Sequence, residues 1–297
     1  MSLRLAELQD GPSQWPDIAD AARILWLASI SPDIIAFRHE LPTYYPNTSY
    51  SATELWTGLN ASRRAVFVAI DENITIAFEG SDRNELVKNT WANAKGPNWW
   101  DIPYAVYDGG NRVHSFFRDM WYGMRDETFR ALSEAIRNIK EKGSTPRKIT
   151  IAGFSQGGGV STMAFTDILE HIRCTYGSES APSQAWAEDN NIGNLVQHLT
   201  FAAMAAGDQG FHTVLNNLYE RHAIRAWDFM HYQDWTRHAH DLAFRSWRGH
   251  RYILPDAVVR HHQAEFGQHG HSILGYLGVA EWMAMNGTDQ VKSEYAY

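Results

Sequence analysis

The chain has 297 residues, of which 44% are apolar and 20% charged, and its formal net charge is -8. That length can bury a full core, and the ordinary composition excludes a disordered chain. The acidic balance excludes nucleic acid as the main partner, because phosphate binding needs a basic surface. The one cysteine, Cys174, excludes an internal disulfide and suits a reducing, cytoplasmic location. Residues 1–7 carry charges too early for the apolar core of a secretory signal, and no run reaches transmembrane length.

From Asp17 to about Ile30, Ile18, Ala21, Ala22, Leu25 and Leu27 recur at helical spacing behind Pro16. Pro42 and Pro46 then mark irregular chain. Residues 65–70 and 74–78 read as strands joined by a hairpin at Asp71-Glu72-Asn73. The second strand ends in Glu79-Gly80-Ser81-Asp82, a loop signal. Residues 83–112 are polar, broken by Gly96-Pro97 and Gly109-Gly110, with Leu86, Val87 and Trp91 along one side of a short helix. An amphipathic helix is expected over 126–142, with Phe129, Leu132, Ile136 and Ile139 on one face, closed by Gly143 and Pro146. A strand at 148–152 and a helix over 158–172 follow, then a Ser-, Pro- and Asn-rich loop at 176–192. Further strands are expected at 199–203 and 223–227, and a last helix over 271–285 carrying Ile273, Leu274, Leu277 and Ala280. Strands alternating with helices, without repeat or linker, predict one α/β domain over 1–297 with a mostly parallel sheet flanked by helices.

Chemistry concentrates where the strand at 148–152 runs through Gly153-Phe154-Ser155-Gln156-Gly157 into a helix. This is the order of a nucleophile elbow, a sharp strand-to-helix turn that exposes a serine hydroxyl. Such a serine needs a base, a carboxylate to orient the base, and donors for the oxyanion. In that arrangement the chain order is serine, acid, histidine. Asp234 lies just beyond a strand run and is favoured on position over Asp228, which lies inside it, with Asp241 a third candidate. His238, His240, His250, His261, His262, His269 and His271 all follow the acid. His271 opens a helical pattern after Gly267 and Gly270, where a loop can carry it over the elbow, and His269 is the close alternative. The backbone N–H of Gln156, at a helix N-terminus, is the first oxyanion donor. Ser81, at the end of an earlier strand, is the second.

Gly157-Gly158-Gly159 lacks the lysine and serine or threonine of a phosphate loop. The pairs His238/His240 and His269/His271, with His261-His262, lack His-Glu-x-x-His. Neither a metal nor an organic cofactor is expected.

Several segments together resemble the class 3 lipases. Phe78-Glu79-Gly80-Ser81-Asp82 is similar to that family's oxyanion loop, Val113-His114-Ser115-Phe116-Phe117 to its Val-His-x-Gly-Phe segment, and Ile151 to Gly158 to its elbow. Thr200-Phe201-Ala202 through Gly207-Asp208 and Phe211, His231 to Asp234, and His271 through Tyr276-Leu277-Gly278 resemble its later segments in the same order. The resemblance implies an α/β-hydrolase fold, a Ser155, Asp234 and His271 triad, and Ser81 and Gln156 at the oxyanion hole. It also implies hydrolysis of a lipid or small-molecule carboxylic ester, transient contact with a lipid interface, and a lid at 83–97, although Arg83, Glu85, Lys88 and Lys95 suit a plain connection equally. Phe154 stands at the family's usual elbow histidine, Gln156 at its leucine, Phe116 at its glycine and Glu79 where arginine is common, which leaves triglyceride specificity open. An acyltransferase or phospholipase with the same triad, or a non-catalytic binding protein on the lipase fold, are the alternatives.

Overall fold

The computed structural model describes residues 13–57, 64–81, 104–106, 110–177, 180, 186–187, 191–234, 236, 250–267 and 270–294. Its centre is a seven-stranded sheet. Strands β1 (Tyr50–Trp56), β2 (Arg64–Ile70) and β3 (Asn73–Phe78) form an antiparallel meander. Beyond β3 the order continues in parallel through β6 (Lys148–Phe154), β7 (Val196–Phe201), β8 (Arg225–Met230) and β9 (Arg251–Ile253). A separate two-stranded ribbon pairs β4 (Tyr104–Val106) with β5 (Arg112–His114).

The near-continuous apolar character of the strands reflects a sheet covered on both sides. Phe67 of β2, Ile74, Ile76 and Phe78 of β3, and Ile149 and Ile151 of β6 point to one core. That core is closed by α3 (Ser115–Glu141) and α4 (Gln156–Tyr176). Val66, Val68 and Ile70 of β2, Ala77 and Ala152 point to the other, under α1 (Trp15–Ile30) and α9 (Ile273–Glu294). α1 begins with Pro16 inside its first turn, and Asp17 there pairs with Lys148 of β6. The acid suits the helix N-terminus and the pair ties the helix to the sheet. α9 is interrupted at Gly287, whose φ is 73°.

The expected helix over 17–30, the strands of the first hairpin and the long helix ending before Gly143 all form. The differences have local causes. α2 (Ile34–Tyr44) runs through Pro42 where irregular chain was expected. Pro42 cannot donate to the Arg38 carbonyl, and that oxygen instead accepts the Tyr50 hydroxyl at 3.4 Å. α3 starts at Ser115, well before the expected 126, because Nδ1 of His114 accepts the Phe116 N–H and caps it. The strand expected at 199–203 ends at Phe201, since Ala202 turns the chain with φ 50°, and that expected at 223–227 is β8. β1, the ribbon, β9 and helix α6 (Gln209–Arg221) were not anticipated, nor were three short helices, α5 (Ile192–Leu195), α7 (Asp256–His261) and α8 (Gln263–Phe266). No described helix is long and apolar enough to cross a membrane.

Candidate active site

The sheet delivers the chemistry to the carboxyl ends of its parallel strands, where α/β ligand sites form. At the end of β6, Ser155 adopts φ 55° and ψ -120°, a left-handed conformation that a non-glycine residue holds only under restraint. The restraint is visible: the Ser155 N–H donates to the Phe201 carbonyl at 2.9 Å, and its own carbonyl accepts from Gly158 and Met204. Gly153 and Gly157 make the turn possible. A Cβ on Gly157 would stand 2.1 Å from the Phe78 oxygen, and one on Gly153 would stand 2.4 Å from the Gly157 oxygen.

Ser155 Oγ lies 2.9 Å from Nε2 of His271, which the loop before α9 carries over the elbow. The other ring nitrogen, Nδ1, lies 2.8 Å from Oδ2 and 2.9 Å from Oδ1 of Asp234, just past β8. A carboxylate at Nδ1 draws the imidazole proton to that side, so Nε2 accepts the serine hydroxyl proton. Asp234 is buried and held by three further donors. The Thr236 N–H and hydroxyl reach Oδ1 at 2.9 and 2.7 Å, and the Tyr276 hydroxyl reaches Oδ2 at 2.8 Å. Tyr276 in turn accepts the His231 N–H at 3.0 Å. Burial, with the Asp234 charge beside it, pushes the Tyr276 hydroxyl well above its ordinary pKa and keeps it a donor. Phe154 stacks on the His271 ring, centroids 4.8 Å apart and planes 27° apart. Its edge also fills the space a side chain on Gly80 would need.

Ser81 follows the end of β3, beside the start of α4. Its hydroxyl donates to Oε1 of Gln156 at 2.8 Å. The first turn of α4 therefore brings together the backbone and side chain of Gln156 with Ser81. Phe117, next to Phe116, seats its ring against Gly159 of the same turn.

Asp228 occupies a different environment. It lies within β8, fully buried, where Oδ2 receives Nε and Nη2 of Arg251 at 2.9 and 2.7 Å. Its Oδ1 accepts from Ala203 N–H and the Thr200 hydroxyl. Burial raises its pKa, opposed by Arg251 and these donors. It ties β9 to β7 and to the chain after it. His250 faces the Ala226 carbonyl, His261 is exposed on α7, and His262 packs against Gly278. Asp82, His238, His240, Asp241, His269 and the expected lid at 83–97 lie outside the described residues. Among the described residues, no group of three His, Cys, Asp or Glu side chains is placed to hold a metal ion.

Three supports escaped sequence reasoning. Thr236, two residues after Asp234, was readable as an Asx-type turn. Tyr276 and Arg251 carry no local signal, since only the fold brings them to the acids they touch. A second serine–histidine contact was also missed. Ser161 Oγ lies 3.0 Å from Nε2 of His198, whose Nδ1 meets the Tyr219 hydroxyl at 2.7 Å. His198 is fully buried against Phe165, and desolvation pushes its pKa down to about 3. It is a neutral structural bracket beneath the elbow.

Comparison with known proteins bears on the family and the fold. The sequence model of the class 3 lipases matches residues 75–239. Among solved structures, the native Rhizomucor miehei lipase propeptide complex superposes with a TM-score of 0.57 at 16% identity, covering 83% of this chain and 70% of that one. A triacylglycerol lipase described as having a serine protease triad for its catalytic centre gives 0.54 at 16%, covering 86% and 82%. Lipase II from Rhizopus niveus gives 0.53 at 15%, covering 81% and 78%. No curated protein matches the chain by sequence. At such identities the superpositions speak for the α/β-hydrolase fold alone, while the family match spans more than half of the chain, from β3 through the elbow to the segment bearing Asp234. The chain belongs to the class 3 lipase family.

Proposed function

We propose that this protein hydrolyses carboxylic esters of lipid or small-molecule type through an acyl-serine intermediate, with Ser155, His271 and Asp234 as its triad. The observation that carries the reading is the unbroken hydrogen-bonded path from Ser155 Oγ through both nitrogens of His271 to Asp234. Ser155 Oγ attacks the ester carbonyl while His271 Nε2 takes its proton. The tetrahedral oxyanion is held by the Gln156 N–H and by Ser81. As the C–O bond breaks, His271 returns the proton to the departing alcohol. Water then enters by the same route and releases the acid. Asp234 orients the imidazole and stabilises the imidazolium. The reading requires no metal and takes residues 1–297 as a single domain, supported by one sheet running from β1 to β9. It includes transient contact with a lipid interface and a cytoplasmic setting, the latter supported by the lone cysteine.

The test is labelling by a fluorophosphonate together with turnover of p-nitrophenyl esters of graded chain length, with and without an emulsified interface. Ser155→Ala is expected to abolish labelling and lower kcat by roughly 10⁵-fold or more with the fold intact. Retained turnover in Ser155→Ala, or turnover lost to a chelator, would overturn the reading.

A further inference from the structure

The side chain of Gln156 is wholly buried, although it stands on the residue whose backbone is proposed to face the oxyanion. Its Oε1 accepts the Ser81 hydroxyl proton at 2.8 Å, while its Nε2 is buried without an acceptor among the described residues. A serine hydroxyl has a single proton. While that proton lies on Gln156 it is not aimed at a developing oxyanion. The arrangement thus leaves one polar group of the carboxamide unsatisfied and keeps the Ser81 proton away from the reaction.

Rotating the carboxamide by half a turn exchanges Nε2 for Oε1 in nearly the same volume, about a terminal torsion that is broad and roughly two-fold. Nε2 then donates to Ser81 Oγ. The buried donor gains its acceptor, and the Ser81 proton is released from Gln156. Oε1 is now the group left without a partner, so each orientation satisfies one end of the carboxamide and neither is favoured outright. A negative oxygen tips the balance, because a hydrogen bond to a charged acceptor is about twice as strong as a neutral one. We propose that Gln156 is a positioning residue whose carboxamide directs the Ser81 proton, holding it in the resting enzyme and delivering it to the oxyanion as the tetrahedral intermediate forms. The proposal rests on the reading of Ser81 as an oxyanion donor, and it gives a reason for glutamine in place of the family's usual leucine.

The experiment is a double-mutant cycle in kcat on a p-nitrophenyl ester, with fluorophosphonate labelling of Ser155 run alongside. Ser81→Ala is expected to lower kcat about 10²- to 10³-fold with little change in KM. Gln156→Glu offers only acceptors to Ser81 when ionised, and at high pH is expected to lower kcat about 10²-fold. Gln156→Leu removes the director and is expected to lower it by about three- to tenfold. In a Ser81→Ala background both penalties should shrink to below about threefold, because they act through the Ser81 proton. A packing role, or a carboxylate merely repelling the oxyanion, predicts the same penalty in both backgrounds, and that result would overturn the proposal. Should Gln156→Glu fail to fold, the Gln156→Leu arm decides by the same criterion. The underlying reading fails separately and visibly, through absence of Ser155 labelling or a Ser81→Ala variant with undiminished kcat.

Discussion

Asp228 and Asp234 are equally buried, one inside β8 and one just beyond it, and their neighbours give them opposite duties. Asp234 faces an imidazole and neutral donors. Asp228 faces a guanidinium. Asp234→Asn preserves shape but offers His271 an amide that no longer fixes the proton on Nδ1. Kinetics should show a kcat loss of about 10⁴-fold, the scale seen when a triad acid becomes an amide, with unfolding by urea little changed. Asp228→Asn leaves the largely buried Arg251 without its counter-charge, and breaking a buried pair costs up to about 3–5 kcal/mol. Urea midpoints should fall accordingly while the folded fraction retains kcat. The reverse pattern would move the proposed role of triad acid from Asp234 to Asp228. Position at a strand's end was legible in the sequence and favoured Asp234. What was not legible is why Asp228 is needed, because its partner Arg251 belongs to a three-residue strand that exists only by pairing with β8.

At the scale of elements, the elbow depends on how closely α4 approaches β3. The approach is set by Gly157, where a Cβ would meet the Phe78 and Glu79 oxygens at 2.1 and 2.3 Å. Neither oxygen belongs to a side chain that can swing aside. Gly157→Ala therefore forces helix and strand apart, at about 1–3 kcal/mol or more, and carries the Ser81 loop away from Ser155. Its kcat should fall at least tenfold even in fully folded protein. Gly143 supplies the contrast, since it ends α3 at φ 81° with nothing within 4 Å of a Cβ. Gly143→Ala should cost about 1–2 kcal/mol of backbone strain and leave kcat alone. Equal kcat losses in the two variants would contradict the close-approach account. The elbow was readable because its rules are local: a β run, glycines flanking a serine, then a helix. α2 was hidden because Pro42 is a local stop signal, and the Tyr50 hydroxyl that compensates for it comes from another element. The early start of α3 was hidden for a related reason, since Gly123 punctuates it. A Cβ there would stand 2.0 Å from the Thr57 oxygen, so this glycine marks a close approach to the chain after β1 instead of a helix end.

Across the whole molecule, the sheet brings Ser155 and His271 together over a separation of 116 residues and Asp234 and His271 over 37. No local pattern encodes such distances, so the partners of the elbow were legible only as an ordered series of candidates. The same sheet buries histidines that serve no chemistry, and these should govern how the fold responds to acid. Desolvation pushes His198 down to about 3 and His212 to about 4. Each pKa lies below the ordinary value of 6.5 that the unfolded chain regains. Between the two values the unfolded state binds more protons than the folded one, so stability rises with pH there. The contribution is complete above about pH 6.5 and is lost as pH falls toward 4 for His212 and 3 for His198. At pH 5 each site should have lost roughly 2 kcal/mol relative to pH 8. Thermal or urea unfolding followed from pH 8 to pH 5 should show this decline. His198→Gln removes one titrating group and should flatten the profile by about half of the two-site loss, at some cost in absolute stability from the altered contacts to Ser161 and Tyr219. An unchanged slope in that variant would mean that His198 is not the proton-binding site that opens when the protein unfolds, and would assign the acid sensitivity to other groups.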